Sequence, residues 1–306
     1  MKKLVKQLLR SLLPESAYGL LRQYYFRLRI WKRRAAARIK VPLGFASKPQ
    51  HENIALGFHV TEHCNLNCAS CDNFSPLADP EFLDVEEFSR DLSRMAELFR
   101  HHDCDRISLL GGEPLLHPEL ISIIKIVRKN FTSGRVRLLT NGILLTQQSP
   151  DFWKTCHDNK VTIVVTHYPI NIDVRKIREL AGKYDVTLEC SDIPIETFLI
   201  EPVNLKGNGS YRVNFAACTR GNRCIMLRQG KLYTCTFASN IHHFCKKFGV
   251  NIPVTEADYI NIYDENITGE EILRRLAEPI PICRFCDMHF KLIKWHRSEQ
   301  DINEWL

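Results

Sequence analysis

The sequence predicts an α/β fold built around a parallel sheet, and two observations carry this prediction. Segments rich in aliphatic and β-branched residues alternate along the chain with segments of helical periodicity, an order typical of βα units. The chain of 306 residues is 44% hydrophobic and 25% charged, which is the composition of a globular protein and excludes a wholly disordered one.

The alternating elements are predicted in the middle of the chain. Strands are expected over residues 54–60, 106–110, 135–139, 161–165 and 186–189, and helices over 84–102, 118–130 and 173–183. Asp84 and Glu87 predict a capping box at the start of the first helix. Ligands of a parallel sheet bind at the carboxyl ends of its strands. Polar residues stand at those ends: Thr140, Asn141, Thr166, His167, Tyr168, Glu189 and Asp192.

The positive charge of the chain lies in its first forty residues. They hold twelve Lys and Arg against one acid, a net of +11, which leaves −4 for the other 266 residues of a chain whose net charge is +7. Apolar residues recur there at helical spacing, in residues 4–13 and 18–31. A basic, aromatic-rich helix of this kind can lie on an anionic membrane, so residues 1–40 are either a peripheral membrane contact or an ordinary packed helix.

The same charge distribution gives no support to nucleic-acid binding by the rest of the chain. No uncharged run approaches the 18 residues of a membrane span, and no signal-peptide pattern is present. We therefore expect a cytoplasmic protein, peripheral on the inner face of the membrane if the basic tail binds lipid.

Three cysteines, Cys64, Cys68 and Cys71, follow the first predicted strand with the spacing C-x3-C-x2-C. Disulfides are not expected in a chain without an export signal. A structural zinc ion takes four protein ligands, so this triplet would need His59 or His63 as well. A [4Fe-4S] cluster on three thiolates instead leaves one iron open to a substrate or cosubstrate.

This spacing resembles the signature of the radical S-adenosylmethionine (SAM) enzymes. The segment Gly111-Gly112-Glu113-Pro114 follows the second predicted strand, as a Gly-Gly-Glu-Pro segment does in that family. The resemblance covers residues 54–290 and implies a partial (β/α)6 TIM-like barrel. It also implies that a [4Fe-4S] cluster on the triplet binds SAM, whose reductive cleavage gives methionine and a 5′-deoxyadenosyl radical that removes a hydrogen atom from a substrate.

The resemblance also implies a SAM-binding set. Two glycines let the backbone approach a ligand closely, and Glu113 can accept a hydrogen bond from the methionyl ammonium of SAM. By its position after the fourth strand, Thr166 is expected at the ribose. The predicted SAM-binding residues are Gly111, Gly112, Glu113, Pro114 and Thr166. Ser70 departs from the family, which usually has an aromatic residue before the third cysteine.

A second set of cysteines lies near the end of the chain. Cys218, Gly230 and Cys235 are spaced as in the opening of the appendage called SPASM or, in its short form, twitch, around a hairpin predicted over residues 225–236. Cys283 and Cys286 would complete four ligands, and since no cysteine follows them the resemblance is to twitch, which implies one auxiliary [4Fe-4S] cluster. Cys224 could replace Cys218, and a zinc site on the same thiols or on His289 is the competing interpretation.

The other cysteines, Cys104, Cys156 and Cys190, are interpreted as inert, and His242 and His243 as parts of an exposed loop. Three segments are predicted: a basic helical extension over residues 1–50, a radical SAM barrel over 51–205 and a cluster-binding β-hairpin and helix appendage over 206–306. No catalytic side chain is assigned.

We expect an oxidoreductase-like radical SAM enzyme that oxidises or rearranges a hydroxylated small molecule, with a sugar or lipid-linked sugar as the leading substrate class. Flavodoxin or ferredoxin would supply the electron. A peptide-modifying maturase with a partner-delivered substrate and a non-catalytic zinc or iron-sulfur scaffold are the alternatives.

Overall fold

The computed structural model describes residues 15–102 and 104–306. The strands in this part of the chain are β1 (Ile54–Thr61), β2 (Cys104–Gly111), β3 (Arg135–Thr140), β4 (Val161–Val165), β5 (Leu188–Cys190), β6 (Thr197–Ile200), β7 (Met226–Arg228), β8 (Lys231–Tyr233), β9 (Tyr259–Asn261) and β10 (Lys291–Lys294). The α-helices are α1 (Glu15–Lys40), α2 (Val85–Leu98), α3 (Leu120–Asn130), α4 (Pro150–Asp158), α5 (Val174–Lys183), α6 (Tyr211–Ala217), α7 (Thr236–Phe248) and α8 (Gly269–Leu276).

The main sheet has eight strands in the order β5-β4-β3-β2-β1-β7-β8-β9. Neighbours from β1 to β5 pair in parallel, which confirms the mixed α/β fold with a largely parallel sheet. Side chains cap the helices that follow these strands: Asp84 accepts a hydrogen bond from the backbone N of Glu87 at 2.7 Å, and Asp173 accepts one from Lys176 at 2.8 Å. Such caps satisfy the free N–H groups of a first helical turn.

β7 also pairs in parallel with β1, so the parallel set in the described chain contains six strands, β1 to β5 and β7, and β6 is not among them. β6 pairs antiparallel with β10 in a separate two-stranded sheet. Only residues 191–196 connect β5 to β6, whereas a parallel neighbour needs a crossover of about a dozen residues or more. The connection between β5 and β6 is too short for β6 to pair in parallel with β5.

The predicted hairpin forms as β7 and β8, and it extends the main sheet. The backbone N of Gly57 in β1 donates to the carbonyl of Ile225 at 2.8 Å, and Gly57 pairs with Met226. β7 therefore covers the edge of β1 that an open barrel would leave unpaired.

Two hydrophobic cores support this arrangement. The larger core contains apolar residues of β1 to β4 and of helices α2 to α5, and it continues into the hairpin through Leu227 and Leu232. The second core joins α7 to the residues that follow the cysteine triplet, with Phe74, Ile241, Phe244 and Trp305 buried in it. The segment after residue 205 thus shares one core with the parallel strands and a second core with the residues that follow the triplet.

Helix α1 contains the second of the two amphipathic patterns, whereas residues 4–13 lie outside the described part of the chain. Its Ala37 is buried with Ala217 of α6 and with Met288. Within the described residues, no helix is long and apolar enough to cross a membrane.

Candidate active site and cysteine clusters

The carboxyl ends of β1 and β2 are joined through the two glycines of the Gly-Gly-Glu-Pro segment. The backbone N of Gly112 donates to Thr61 O at 2.8 Å, and that of Glu113 donates to His63 O at 3.0 Å. A Cβ atom on Gly112 would lie 1.8 Å from His63 O, and one on Gly111 would lie 2.2 Å from Thr61 O. Only glycine permits this approach at either position, because any Cβ would overlap a backbone oxygen. Gly111 also has a φ of +132°, a backbone conformation that favours glycine.

Glu113 is fully buried at this junction. Its Oε1 accepts hydrogen bonds from Thr140 Oγ1 at 2.7 Å and Leu115 N at 3.1 Å, and its Oε2 accepts one from Asn141 N at 2.9 Å. Burial raises the pKa of Glu113, against the effect of these donors. A carboxylate has about four acceptor positions, so an approaching cation would complete its shell and stabilise its charge.

The cysteine triplet lies on the loop after β1, and N–H groups point at its sulfurs. Leu66 N donates to Cys64 Sγ at 3.4 Å, and Asn141 Nδ2 approaches the same sulfur at 3.7 Å. Trp295 Nε1 donates to Cys68 Sγ at 3.1 Å. Donors of this kind stabilise thiolate ligands and the clusters that thiolates hold.

Burial raises the pKa of Cys64, that of Cys68 to about 11 and that of Cys71 to about 12. These thiols therefore stay protonated at neutral pH until a metal replaces the proton. Among the described residues, no three His, Cys, Asp or Glu side chains are arranged around a single-ion site. Three thiols on one loop, with N–H groups directed at their sulfurs, have the donor chemistry that an iron-sulfur cluster requires.

The remaining predicted SAM-binding residues lie at the same end of the sheet. Pro114 is buried and begins a 3₁₀ turn over Pro114–Leu116. Thr166 is half-buried after β4, and its backbone N donates to Thr140 O at 2.9 Å. Thr166 therefore lies one strand beyond the donors that surround Glu113, while its contact with ribose stays a prediction.

The second set of cysteines surrounds one cavity. Cys218 follows α6, Cys235 precedes α7, and Cys283 and Cys286 flank the end of the 3₁₀ turn Pro281–Phe285; all four line the cavity. Arg220 N and Gly221 N both donate to Cys218 Sγ at 3.3 Å. The structure thus places thiols from three separate segments of the chain around one cavity.

The alternative ligands lie elsewhere. Cys224 is exposed and is not among the residues that line this cavity in the described chain. His289 is bound to Asp287 Oδ1 at 2.7 Å and to Arg34 at 2.9 Å. Cys218 is therefore the better placed of the two candidate first ligands.

An ion pair links the two thiol-bearing segments. Arg220 Nη1 lies 2.6 Å from Oδ2 of Asp72, the residue after Cys71, and Arg220 Nε lies 3.4 Å from Glu201 Oε1. Burial raises the pKa of Glu201 to about 7. Asp72, Glu201 and Arg220 line the same cavity as the four later cysteines, a proximity that sequence spacing alone does not reveal.

The expectation of a loop at His242 and His243 is wrong, although His242 is exposed as expected. Both residues lie in α7, and His243 is buried with its Nε2 2.8 Å from Glu62 Oε2. Burial favours a higher pKa for Glu62, but hydrogen bonds from His243 and His59 outweigh it and hold that pKa well below its usual range. The apolar positions of residues 236–248 have helical spacing, and this was the available signal.

Residues 58–194 match the family model of the radical SAM superfamily. The match runs from the second half of β1 through β5 and includes the triplet and the Gly-Gly-Glu-Pro segment. It supports the resemblance to radical SAM enzymes that these two motifs predicted.

Curated relatives match part of the same region. GTP 3′,8-cyclase of Haemophilus influenzae (strain PittGG) is 26% identical over 152 residues, which are 48% of this chain and 42% of that protein. Probable GTP 3′,8-cyclase of Thermoplasma volcanium is 33% identical over 92 residues, 30% of this chain and 27% of that protein. The chain thus spans less than half the length of these relatives.

Among solved structures, BtrN in complex with AdoMet and 2-DOIA is 18% identical with a TM-score of 0.47, and the match covers 78% of this chain and 94% of BtrN.

Proposed function

We propose that this protein is a radical SAM enzyme whose [4Fe-4S] cluster is held by Cys64, Cys68 and Cys71. When bound, such a cluster supplies the electron that cleaves SAM to methionine and a 5′-deoxyadenosyl radical. The observation that carries the proposal is the junction of the two loops: hydrogen bonds place buried Glu113 beside the triplet loop. A carboxylate with one free acceptor position next to a cluster site suits the ammonium group of SAM.

The other residues of the site orient Glu113 and shield the reacting groups from water. Thr140 and Asn141 hold Glu113, and Asn141 also reaches Cys64 Sγ and Asn65 Oδ1, the latter at 2.7 Å. Thr166 is assigned to the ribose by its place at the end of β4. Burial of this edge keeps water away from the reacting groups.

The proposal is tested by anaerobic purification and reconstitution with iron and sulfide, followed by incubation with SAM and dithionite. We expect about eight irons per chain if both clusters form, and release of 5′-deoxyadenosine. Zinc in place of iron would overturn the proposal, and about four irons would remove the auxiliary cluster from it.

Glu113→Gln is expected to weaken SAM binding on the order of tenfold to a hundredfold, the equivalent of one charged hydrogen bond. The glutamine side chain lacks the negative charge, and its NH2 group faces hydroxyl and backbone N–H groups that donate to the Glu113 carboxylate. The measurement is equilibrium dialysis of SAM with the iron-loaded protein. Glu119→Gln, an exposed change at the start of α3, is the control and should bind SAM as the parent does; equal affinity in both variants would contradict the assignment.

We assign a second, auxiliary [4Fe-4S] cluster to Cys218, Cys235, Cys283 and Cys286. The support is that four thiols line one cavity and that backbone N–H groups approach Cys218 Sγ. Such a cluster would let the enzyme take an electron from a substrate radical and complete an oxidation. Flavodoxin or ferredoxin would reduce the first cluster.

The substrate proposed is a hydroxylated small molecule, oxidised or rearranged. Sugars and lipid-linked sugars remain the leading class from the sequence. The names of the curated relatives favour a second class, because GTP is a nucleotide with a ribose and GTP 3′,8-cyclase is a cyclase. Stimulation of 5′-deoxyadenosine release by GTP and not by sugars would select the nucleotide.

We further propose that α1 docks this enzyme on an anionic membrane. The face of α1 that contains Ala37 packs on α6, and Arg33 Nη2 on the same face donates to Cys218 O at 3.4 Å. Exposed apolar side chains line the opposite face at helical spacing, among them Trp31 at 64% and Ile39 at 66% exposed. Residues 16–40 contain eight Lys and Arg and no acid, so the exposed face complements anionic headgroups.

The full chain is expected to float with anionic vesicles at low salt and to lose this binding as salt is added. Leu28→Glu with Trp31→Glu should abolish flotation by placing acids on the exposed apolar face. Ile195→Glu changes an exposed apolar residue on the loop before β6 and should leave flotation intact. Failure of the parent to bind anionic vesicles at low salt would refute the proposal, and so would equal binding to neutral vesicles.

A further inference from the structure

The C-terminal segment, residues 295–306, lies against the loop that carries the cysteine triplet. Ala69 N donates to His296 O at 3.0 Å, and Ser298 N donates to Asn67 O at 2.8 Å. Cys68 and Arg297 form an antiparallel bridge. The loop therefore takes its shape in part from the last residues of the chain, which lie outside the region that matches the radical SAM model.

One contact from this segment ends on a sulfur. Trp295 Nε1 lies 3.1 Å from Cys68 Sγ, closer than the donors at Cys64 Sγ, which lie at 3.4 and 3.7 Å. Two contacts fix Trp295: its backbone N donates to Glu196 O at 2.7 Å, and its ring packs against Tyr168 with centroids 6.1 Å apart. The backbone and the ring of Trp295 are thus both fixed, and together they hold the indole N–H at the sulfur.

We propose that Trp295 is a positioning residue that holds the triplet loop and raises the reduction potential of the cluster on it. The inference rests on the proposed function, since it concerns the cluster at Cys64, Cys68 and Cys71. A hydrogen bond to a ligand sulfur stabilises the reduced cluster, which carries one more negative charge than the oxidised cluster, and so shifts the potential upward.

Trp295→Phe tests this, because it keeps an aromatic ring and removes only the N–H donor. At a fixed solution potential set with dithionite and mediators, we expect the ratio of reduced to oxidised cluster to fall about tenfold, which is about 59 mV for a one-electron couple. The readout is electron paramagnetic resonance in a redox titration. The signal that changes on addition of SAM identifies the cluster with the open iron.

Trp305→Phe is the matched control. Trp305 Nε1 also donates to the triplet loop at 3.1 Å, but its acceptor is the carbonyl oxygen of Cys71. We expect this variant to lose some stability and to keep the parent potential. A selective loss of iron in Trp295→Phe would support the positioning role in the same way as a selective shift of potential.

Two results would overturn the inference: a parent-like potential in Trp295→Phe, or equal shifts in both variants, which would show that only loop packing matters. A parent that takes up no iron at the triplet would overturn the proposed function itself, and this outcome is visible before any variant is compared.

Discussion

Replacing Cys64, Cys68 and Cys71 together with alanine is expected to abolish 5′-deoxyadenosine formation and to lower bound iron from about eight to about four per chain. In the proposed assignment the three thiols hold the cluster whose open iron would bind SAM, and no other residue would substitute for all of them. The remaining iron is then expected at the cavity lined by the later cysteines. The measurements are iron analysis and chromatography of the SAM products.

Two controls make this result specific. Alanine at Cys218, Cys283 and Cys286 should remove the other half of the iron while SAM is still cleaved in the absence of a substrate. Cys190→Ala changes a partly exposed thiol at the end of β5 and should leave both the iron content and the cleavage unchanged. Persistent cleavage in the triplet variant would contradict the assignment of the catalytic cluster.

The triplet and the Gly-Gly-Glu-Pro segment could be found from sequence because each is defined by local spacing. The three thiols lie on a single short loop, and the two adjacent glycines approach the backbone of residues 61–63 too closely for a side chain. The four later cysteines were found in the same way, in two pairs. Their convergence on one cavity with Glu201 depends on tertiary packing, which spacing does not encode.

Contacts between segments that are distant in sequence could not be predicted from it. Trp295 contacts the triplet loop only because β10, which precedes it, pairs with β6, and neither strand has a strong local pattern. His243 is buried with its Nε2 2.8 Å from Glu62 Oε2, a contact that offsets the cost of burying a polar ring. A partial (β/α)6 barrel was expected from the family; the short connection between β5 and β6 keeps β6 out of the parallel set, and β7 instead pairs in parallel with β1.

Replacing Gly112 with alanine is expected to lower SAM cleavage on the order of a hundredfold and to lower the free energy of unfolding by about 2 kcal/mol. The added Cβ would stand 1.8 Å from His63 O and 2.9 Å from Glu62 O, both of them backbone atoms. The two loops must therefore separate by more than an ångström, which breaks the hydrogen bond from Glu113 N to His63 O. Glu113 and the triplet then lose their relative position even though every ligand is still present.

Gly182→Ala in α5 is the control. A Cβ at this position meets nothing within 4 Å, and the change should instead stabilise the helix by about 0.5 to 1 kcal/mol. Chemical denaturation of the apoproteins and cleavage assays of the iron-loaded proteins compare the two variants, and a Gly112→Ala protein that behaves like Gly182→Ala would show that the close contact of the two loops is not required.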